Sequence, residues 1–180
     1  MELLAHTGHG LDGIWEGLIH PVTGLDHLLA MVAVGVLAAV VAHRRVAWST
    51  PVAFVGGMVL GGVLGLSGVG AGAVETVIAV SVVVLGGLIA ASSIPSFGAG
   101  AWVPLVALGF GAVHGIAHGG EVPASASPVA YVVGFVVATI GLHLTGALIG
   151  TTLGRHAAVR TALAGAVSCA GVAMLVAAPI

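Results

Sequence analysis

Charged residues are scarce in this chain. Its 180 residues include only four Lys and Arg together and six Asp and Glu. Soluble domains carry roughly 25% charged residues, so too few charges are present here to solvate a globular surface. Hydrophobic residues make up 59% of the chain and the mean hydropathy is +1.23. These values exclude an ordinary soluble domain and indicate a membrane protein.

Cysteine and basic patches are also nearly absent. Cys169 is the single cysteine, which excludes a disulfide framework and a thiolate metal site. The four arginines form no patch for nucleic acid. The order of His114, His118 and Glu121 differs from the zinc-protease pattern, in which the Glu stands between the two histidines. We therefore predict no enzymatic activity and no nucleic-acid partner.

Six apolar runs approach the roughly 20 residues that a membrane-spanning helix needs. They cover residues 22–42, 51–68, 72–92, 101–120, 128–151 and 161–179. This pattern predicts an all-α fold, with residues 1–180 as a single polytopic bundle of about six spanning helices. Residues 1–20 would form an external N-terminal segment.

The arginines predict the orientation of this bundle. Arg44 and Arg45 lie between the first two runs, and Arg155 and Arg160 lie between the last two. The positive-inside rule places both loops in the cytoplasm. An even number of spans then places both termini on the outer, periplasmic side of the inner (cytoplasmic) membrane.

Small residues recur at helix-packing spacing in two of the runs. The two sets are Gly57, Gly61 and Gly65, and Gly146, Gly150 and Gly154. Such spacing lets helix backbones approach closely. It favours tight packing within the monomer, and the alternative is a homo-oligomer interface.

Histidines and carboxylates occur in two clusters within the apolar runs. Ionisable groups at membrane depth cost at least about 2.5–3.5 kcal/mol, so each one suggests a function. In the second cluster, His114 and His118 are four residues apart and Glu121 follows one turn later. Side chains at this spacing have Cβ atoms about 6 Å apart, so two imidazoles can converge on one ion. Imidazole with carboxylate suits nickel, zinc, copper, iron or cobalt.

The first cluster contains His20, Asp26 and His27. Pro21 favours the first turn of a helix, which would place His20 at its cap. On a straight helix His20 and His27 would lie about 10 Å apart. They would share one ion only if the His20 end folds back, and would otherwise be successive stations. Asp26 is either a ligand or a partner that orients an imidazole.

With this topology, both clusters and Glu75 fall in the outer half of the membrane. We therefore predict a metal site between the first and fourth spans. Its residues would be His20, Asp26, His27, His114, His118 and Glu121. Secondary stations are considered at His6, His9, Met31, Glu75 and His143. The alternatives are packing for Met31 and a helix-to-helix hydrogen bond for His143.

The run from His20 to His27 with Met31, and the run Phe110 to Glu121, together resemble the HupE/UreJ family. The resemblance covers nearly the whole chain. It implies a nickel permease associated with hydrogenase or urease, with cobalt as a second substrate, and it implies that the six residues above are the transport residues. Ligand chemistry alone leaves nickel, cobalt, zinc and iron open.

The expected function is ATP-independent inward movement of Ni²⁺, with the lipid bilayer and the metal ion as partners and no further cofactor. Since neutral imidazoles bind the ion, metal affinity should fall as pH drops through about 6.5. One alternative is a non-transporting metal-binding or sensor component for hydrogenase or urease maturation. Another is a pore for protons or a small solute, gated by the histidines.

Overall fold

A computed structural model describes residues 9–41, 44–68, 73–94, 97, 100–122 and 126–177. All regular structure in these ranges is helical, which confirms the predicted all-α class for this part of the chain. The helices are α1 (His9–Thr23), α2 (Leu25–Val40), α3 (Arg44–Leu66), α4 (Val74–Ala91), α5 (Trp102–Gly120), α6 (Pro128–Thr152) and α7 (Ala157–Ala177).

Five helices are long and apolar enough to cross a membrane singly. These segments are Ala47–Leu66, Val74–Ala91, Trp102–Gly120, Pro128–Thr152 and Ala157–Ala177. The α1–α2 pair meets the same criterion jointly, although it bends by 80°. The described residues thus hold five spans, or six if the bent pair is counted as one. The prediction of about six agrees with the upper number.

The first run differs from the straight helix expected from the sequence. Pro21 lies in the last turn of α1 rather than in the first turn of a spanning helix. Gly24 breaks the helix in an extended conformation (φ −82°, ψ 113°). A Cβ at Gly24 would lie 3.0 Å from Asp26 Oδ1 and 3.2 Å from His27 Nδ1. The bare backbone therefore leaves room for these two side chains at the corner.

Helices α3 and α5 pack with their backbones in direct contact. A Cβ on Gly61 would collide with the carbonyl group of Ala112, and one on Gly115 would collide with the carbonyl oxygen of Met58. Gly35 and Gly146 form an equivalent contact between α2 and α6. The glycine faces noted in the sequence are thus covered by packing within the chain, as the monomer interpretation expects.

The direction of these contacts relates the helices to one another. On α5 and α3, Gly111 meets Phe54, Gly115 meets Met58, and Gly119 meets Gly62. Both numbers rise together, so α3 and α5 run parallel. On α6 and α2, Gly146 meets Val32 and Gly150 meets Val36, so this pair is also parallel.

The pair formed by α4 and α7 runs in the opposite sense. Gly86 meets Ala164 and Ser168, whereas Gly171 meets Val83 and Ala79. In a chain that crosses a membrane back and forth, two spans are parallel when their positions in the order differ by an even number. They are antiparallel when the positions differ by an odd number. The three observed pairings satisfy this rule when α1 and α2 together count as the first of six spans.

Candidate metal centre

The corner at Gly24 brings His20 back toward His27. Their ring centroids are 6.1 Å apart, closer than the roughly 10 Å between these residues on a straight helix. Thr23 Oγ1 donates to the His20 carbonyl oxygen at 3.0 Å, which satisfies one carbonyl at the end of α1. The fold-back that a shared ion requires is therefore present.

His118 of α5 lies between these two histidines. Its ring centroid is 4.7 Å from that of His20 and 4.2 Å from that of His27. One nitrogen from each of the three rings lies within 4.8 Å of the others. Nitrogens at tetrahedral angles around one ion would lie about 3.4 Å apart, at roughly 2.1 Å per bond. Binding of a shared ion would therefore draw the three nitrogens closer together by up to about 1.4 Å.

Glu121 closes the exposed end of this group. It caps the C-terminus of α5, and its Oε2 atom lies 3.0 Å from His20 Nε2 and 3.5 Å from His118 Nδ1. Hydrogen bonds with His118 and His20 lower the pKa of the Glu121 carboxyl group. An ionised carboxylate thus stands at the mouth of the centre, where it attracts a cation.

Asp26 orients His27. Its Oδ1 atom lies 2.6 Å from His27 Nδ1, while His27 Nε2 is buried without a hydrogen-bond partner among the described residues. A carboxylate on one imidazole nitrogen leaves the other nitrogen as the ligand and raises its basicity. This contact favours the orienting role for Asp26, one of the two roles considered from the sequence.

His114 lies one helical turn before His118 on α5, next to the three-histidine group. Its Nδ1 donates to the Phe110 carbonyl oxygen at 2.8 Å, so the Nε2 lone pair is free to bind a ligand. That atom is buried and has no hydrogen-bond partner in the described part of the chain. The ring centroids of His114 and His27 are 5.2 Å apart. His114 therefore lies next to the centre but outside the set of three converging nitrogens.

The residues considered from the sequence as secondary metal stations do not lie together. Met31 is fully buried in the hydrophobic core, and Glu75 is exposed in the first turn of α4. His143 is buried in α6, beyond the centre. His6 and the side chain of His9 lie outside the described residues.

Aromatic side chains form a wall that the sequence interpretation did not identify. Phe135 of α6 lies 4.2 Å from the His118 ring, and Tyr131 lies 6.1 Å from the His20 ring, between centroids. Both residues also line an apolar cavity beside His118. Aromatic residues in an apolar run are typical of packing, so no pattern distinguished these two.

Glu16 was also not assigned to the site. It lies on α1 one turn before His20, and its Oε2 atom is buried without a hydrogen-bond partner among the described residues. The four-residue spacing from His20 is visible in the sequence. It becomes informative only once α1 is known to be a helix.

The chemistry of the centre suits a divalent transition metal. Imidazole nitrogens and a carboxylate are favoured ligands for such ions. A buried polar group without a hydrogen bond is destabilising by roughly 1–3 kcal/mol on protein scales. His27, His114 and His118 each present such a nitrogen, and coordination of a metal ion would satisfy these atoms.

Two comparisons relate the chain to known proteins. The family described as HupE / UreJ protein matches residues 1–175. Protein HupE of Rhizobium leguminosarum bv. viciae is 45% identical over 175 residues, which cover 96% of this chain and 89% of that protein. No solved structure matches. A match over this length and at this identity confirms the resemblance seen in the motifs, and the chain belongs to the HupE/UreJ family.

Proposed function

We propose that this protein is a secondary permease that moves Ni²⁺ inward across the cytoplasmic membrane. The observation that carries the proposal is the convergence of three imidazole nitrogens within 4.8 Å. They come from α1, α2 and α5, inside a bundle of membrane-spanning length. Membership of the HupE/UreJ family, which is associated with nickel and cobalt uptake for hydrogenase and urease, supports nickel with cobalt as second substrate.

The exposure of the proposed ligands suggests the order in which an entering ion would meet them. Glu121 and His20 are the most exposed members of the centre, and His27 and His118 are buried. A hydrated ion would meet the Glu121 carboxylate first. It would then exchange water for the nitrogens of His20, His27 and His118, with Asp26 holding the His27 ring.

The membrane potential supplies the driving force in this proposal. Inward movement of a dication is favoured by about 4.6 kcal/mol per 100 mV, from roughly 2.3 kcal/mol per charge. The orientation that the arginines predict, with both termini periplasmic, places Glu121 and His20 toward the outside. The ion would therefore enter at the carboxylate and move inward along the field.

Ni²⁺ flux into proteoliposomes tests the proposal. The purified protein is reconstituted with a nickel-sensitive dye inside and a negative-inside potential is imposed. Wild type should take up Ni²⁺, and His118→Ala should reduce the initial rate by at least about tenfold. Ser168→Ala, whose side chain lies between α4 and α7, is the matched control and should transport like wild type.

Each other result has a distinct meaning. Flux that is unchanged in His118→Ala would reject the assigned centre. Ni²⁺ binding by wild type without flux would favour the sensor or maturation component. Flux of protons or a neutral solute that ignores Ni²⁺ would favour a gated pore.

A further inference from the structure

Four aromatic rings form a continuous series that leads away from the metal centre. The centroid distances are 5.2 Å from His27 to His114, 5.3 Å from His114 to Phe54, and 5.5 Å from Phe54 to His143. These rings belong to α2, α5, α3 and α6 respectively. The series therefore passes through the interior of the bundle.

The series runs from the exposed end of the centre toward greater depth. Phe135 packs against His118, and His143 follows Phe135 by eight residues on the same helix. At 1.5 Å per residue, His143 is about 12 Å further along α6. Its side chain is only 6% exposed, and it lies in the interior of α6, which runs from Pro128 to Thr152.

The imidazole of His143 packs against the Phe54 ring of α3. Its Nε2 atom, however, is buried without a hydrogen-bond partner among the described residues. The neighbouring contact between α6 and α2 is made by backbone atoms, since a Cβ on Gly35 would collide with the His143 carbonyl oxygen. Thr139, one turn earlier, instead satisfies its hydroxyl group by donating to the Phe135 carbonyl oxygen at 2.9 Å.

Phe54 contacts both His114 and His143. Its side chain is fully buried, and its ring centroid lies 5.3 Å from that of His114 and 5.5 Å from that of His143. A phenyl ring offers no lone pair to a metal ion, so it adds no ligand between the two histidines. An ion that passes from His114 to His143 has to move beside this ring.

We propose that His143 is a second metal station, reached from the His20–His27–His118 centre by way of His114 and past the Phe54 ring. This inference rests on the permease function proposed above. The His143 Nε2 atom would accept the ion after it leaves the first centre. The buried phenyl ring beside this path would help to exclude water from it.

Separate measurements of binding and flux test the second station. His143→Phe keeps an aromatic ring at this depth and removes the ligand nitrogen. Ni²⁺ affinity of the purified protein should stay within about twofold of wild type, whereas flux into proteoliposomes should fall by about tenfold or more. His143→Gln, which retains a polar side chain, is the second variant if the phenylalanine variant does not yield monodisperse protein.

Thr139→Ala is the matched control, because Thr139 is equally buried on α6 and its hydroxyl group is already bonded. It should retain both affinity and flux. Wild-type flux in both His143 variants would overturn the second station. Loss of Ni²⁺ affinity together with flux would also overturn it, since His143 would then support the first centre or the bundle. Absence of flux in wild type would instead reject the permease function itself.

Discussion

The α4–α7 pair and the histidine-bearing helices pack in the same way but differ in their buried polar atoms. In α4–α7, Gly86 and Gly171 bring the two backbones together. The Ser81 and Ser168 hydroxyl groups there both donate to carbonyl oxygens. In the helices around the metal centre, the Nε2 atoms of four histidines are buried without partners among the described residues. These are His27, His114, His118 and His143.

This difference suggests that the glycines serve helix packing and that the histidines serve the proposed function. Small residues and backbone contacts suffice to join α4 with α7, and the same contacts join α3 with α5 and α2 with α6. The Nε2 atoms of these four histidines, by contrast, add no hydrogen bond between helices among the described residues. Buried and unpartnered, they lower stability, and binding of a ligand gives a physical reason for their presence.

Disrupting the glycine contact between α3 and α5 should have the largest effect, a loss of folded protein. Gly115→Val would drive a side chain into the Met58 carbonyl group, where the backbone of α3 cannot move aside. Overpacking costs about 1–3 kcal/mol or more, so we expect little monodisperse protein by size-exclusion chromatography. Gly109→Val, on the same helix with open space around the glycine, should yield normal amounts. Equal yields would contradict the packing role of Gly115.

Removing an imidazole should have the next largest effect. It should lower the affinity for Ni²⁺ and leave folding unchanged. His27→Ala deletes one of the three converging nitrogens, so Ni²⁺ affinity should fall by about 10- to 100-fold, measured by equilibrium dialysis. The protein should remain monodisperse because the glycine contacts are intact. If His27→Ala unfolds as Gly115→Val does, the proposed division between packing and function is wrong.

Glu121→Gln should weaken Ni²⁺ binding to an intermediate degree and leave the pH dependence of that binding unchanged. The carboxylate stands at the mouth, so its loss should weaken binding by about tenfold. Protons compete with metal for the imidazole nitrogens, so affinity should fall as pH falls. Because the pKa of Glu121 is lowered, its charge does not change between neutral and mildly acid pH. Titration of binding against pH should give parallel curves for wild type and Glu121→Gln, and a flat curve would assign the pH dependence to Glu121.

Ser168→Ala should have the smallest effect. It removes one hydrogen bond, from Ser168 Oγ to the Val83 carbonyl oxygen at 3.2 Å, which contributes about 0.5–1.5 kcal/mol. We expect a small fall in melting temperature with Ni²⁺ flux unchanged. A loss of flux comparable to that of His118→Ala would extend the functional region into α4–α7.

The all-α class and the approximate span count could be predicted from run lengths, because a hydrocarbon layer demands helices of a set length whatever they pack against. The contact between His118 and Glu121 was equally accessible. Their spacing places them on one helical face independently of the rest of the fold.

The break in the first run could not be predicted from the sequence. Pro21 is compatible with the start of a helix, and here it lies in the last turn of α1. The corner at Gly24 depends on packing of α1 and α2 against different parts of α6, with Gly17 near Tyr131 and Gly35 near His143. Contacts this distant in sequence leave no local pattern.

Composition and helical periodicity by themselves determined that the chain is an apolar helical bundle with two groups of histidine and carboxylate side chains, and the motifs indicated its family. The tertiary structure alone decided that His20 folds back beside His27 and that His118 enters between them. It also placed Phe54 in contact with both His114 and His143. The physical reason is that helix geometry acts over a few residues, whereas the meeting of five helices depends on which backbones can approach closely.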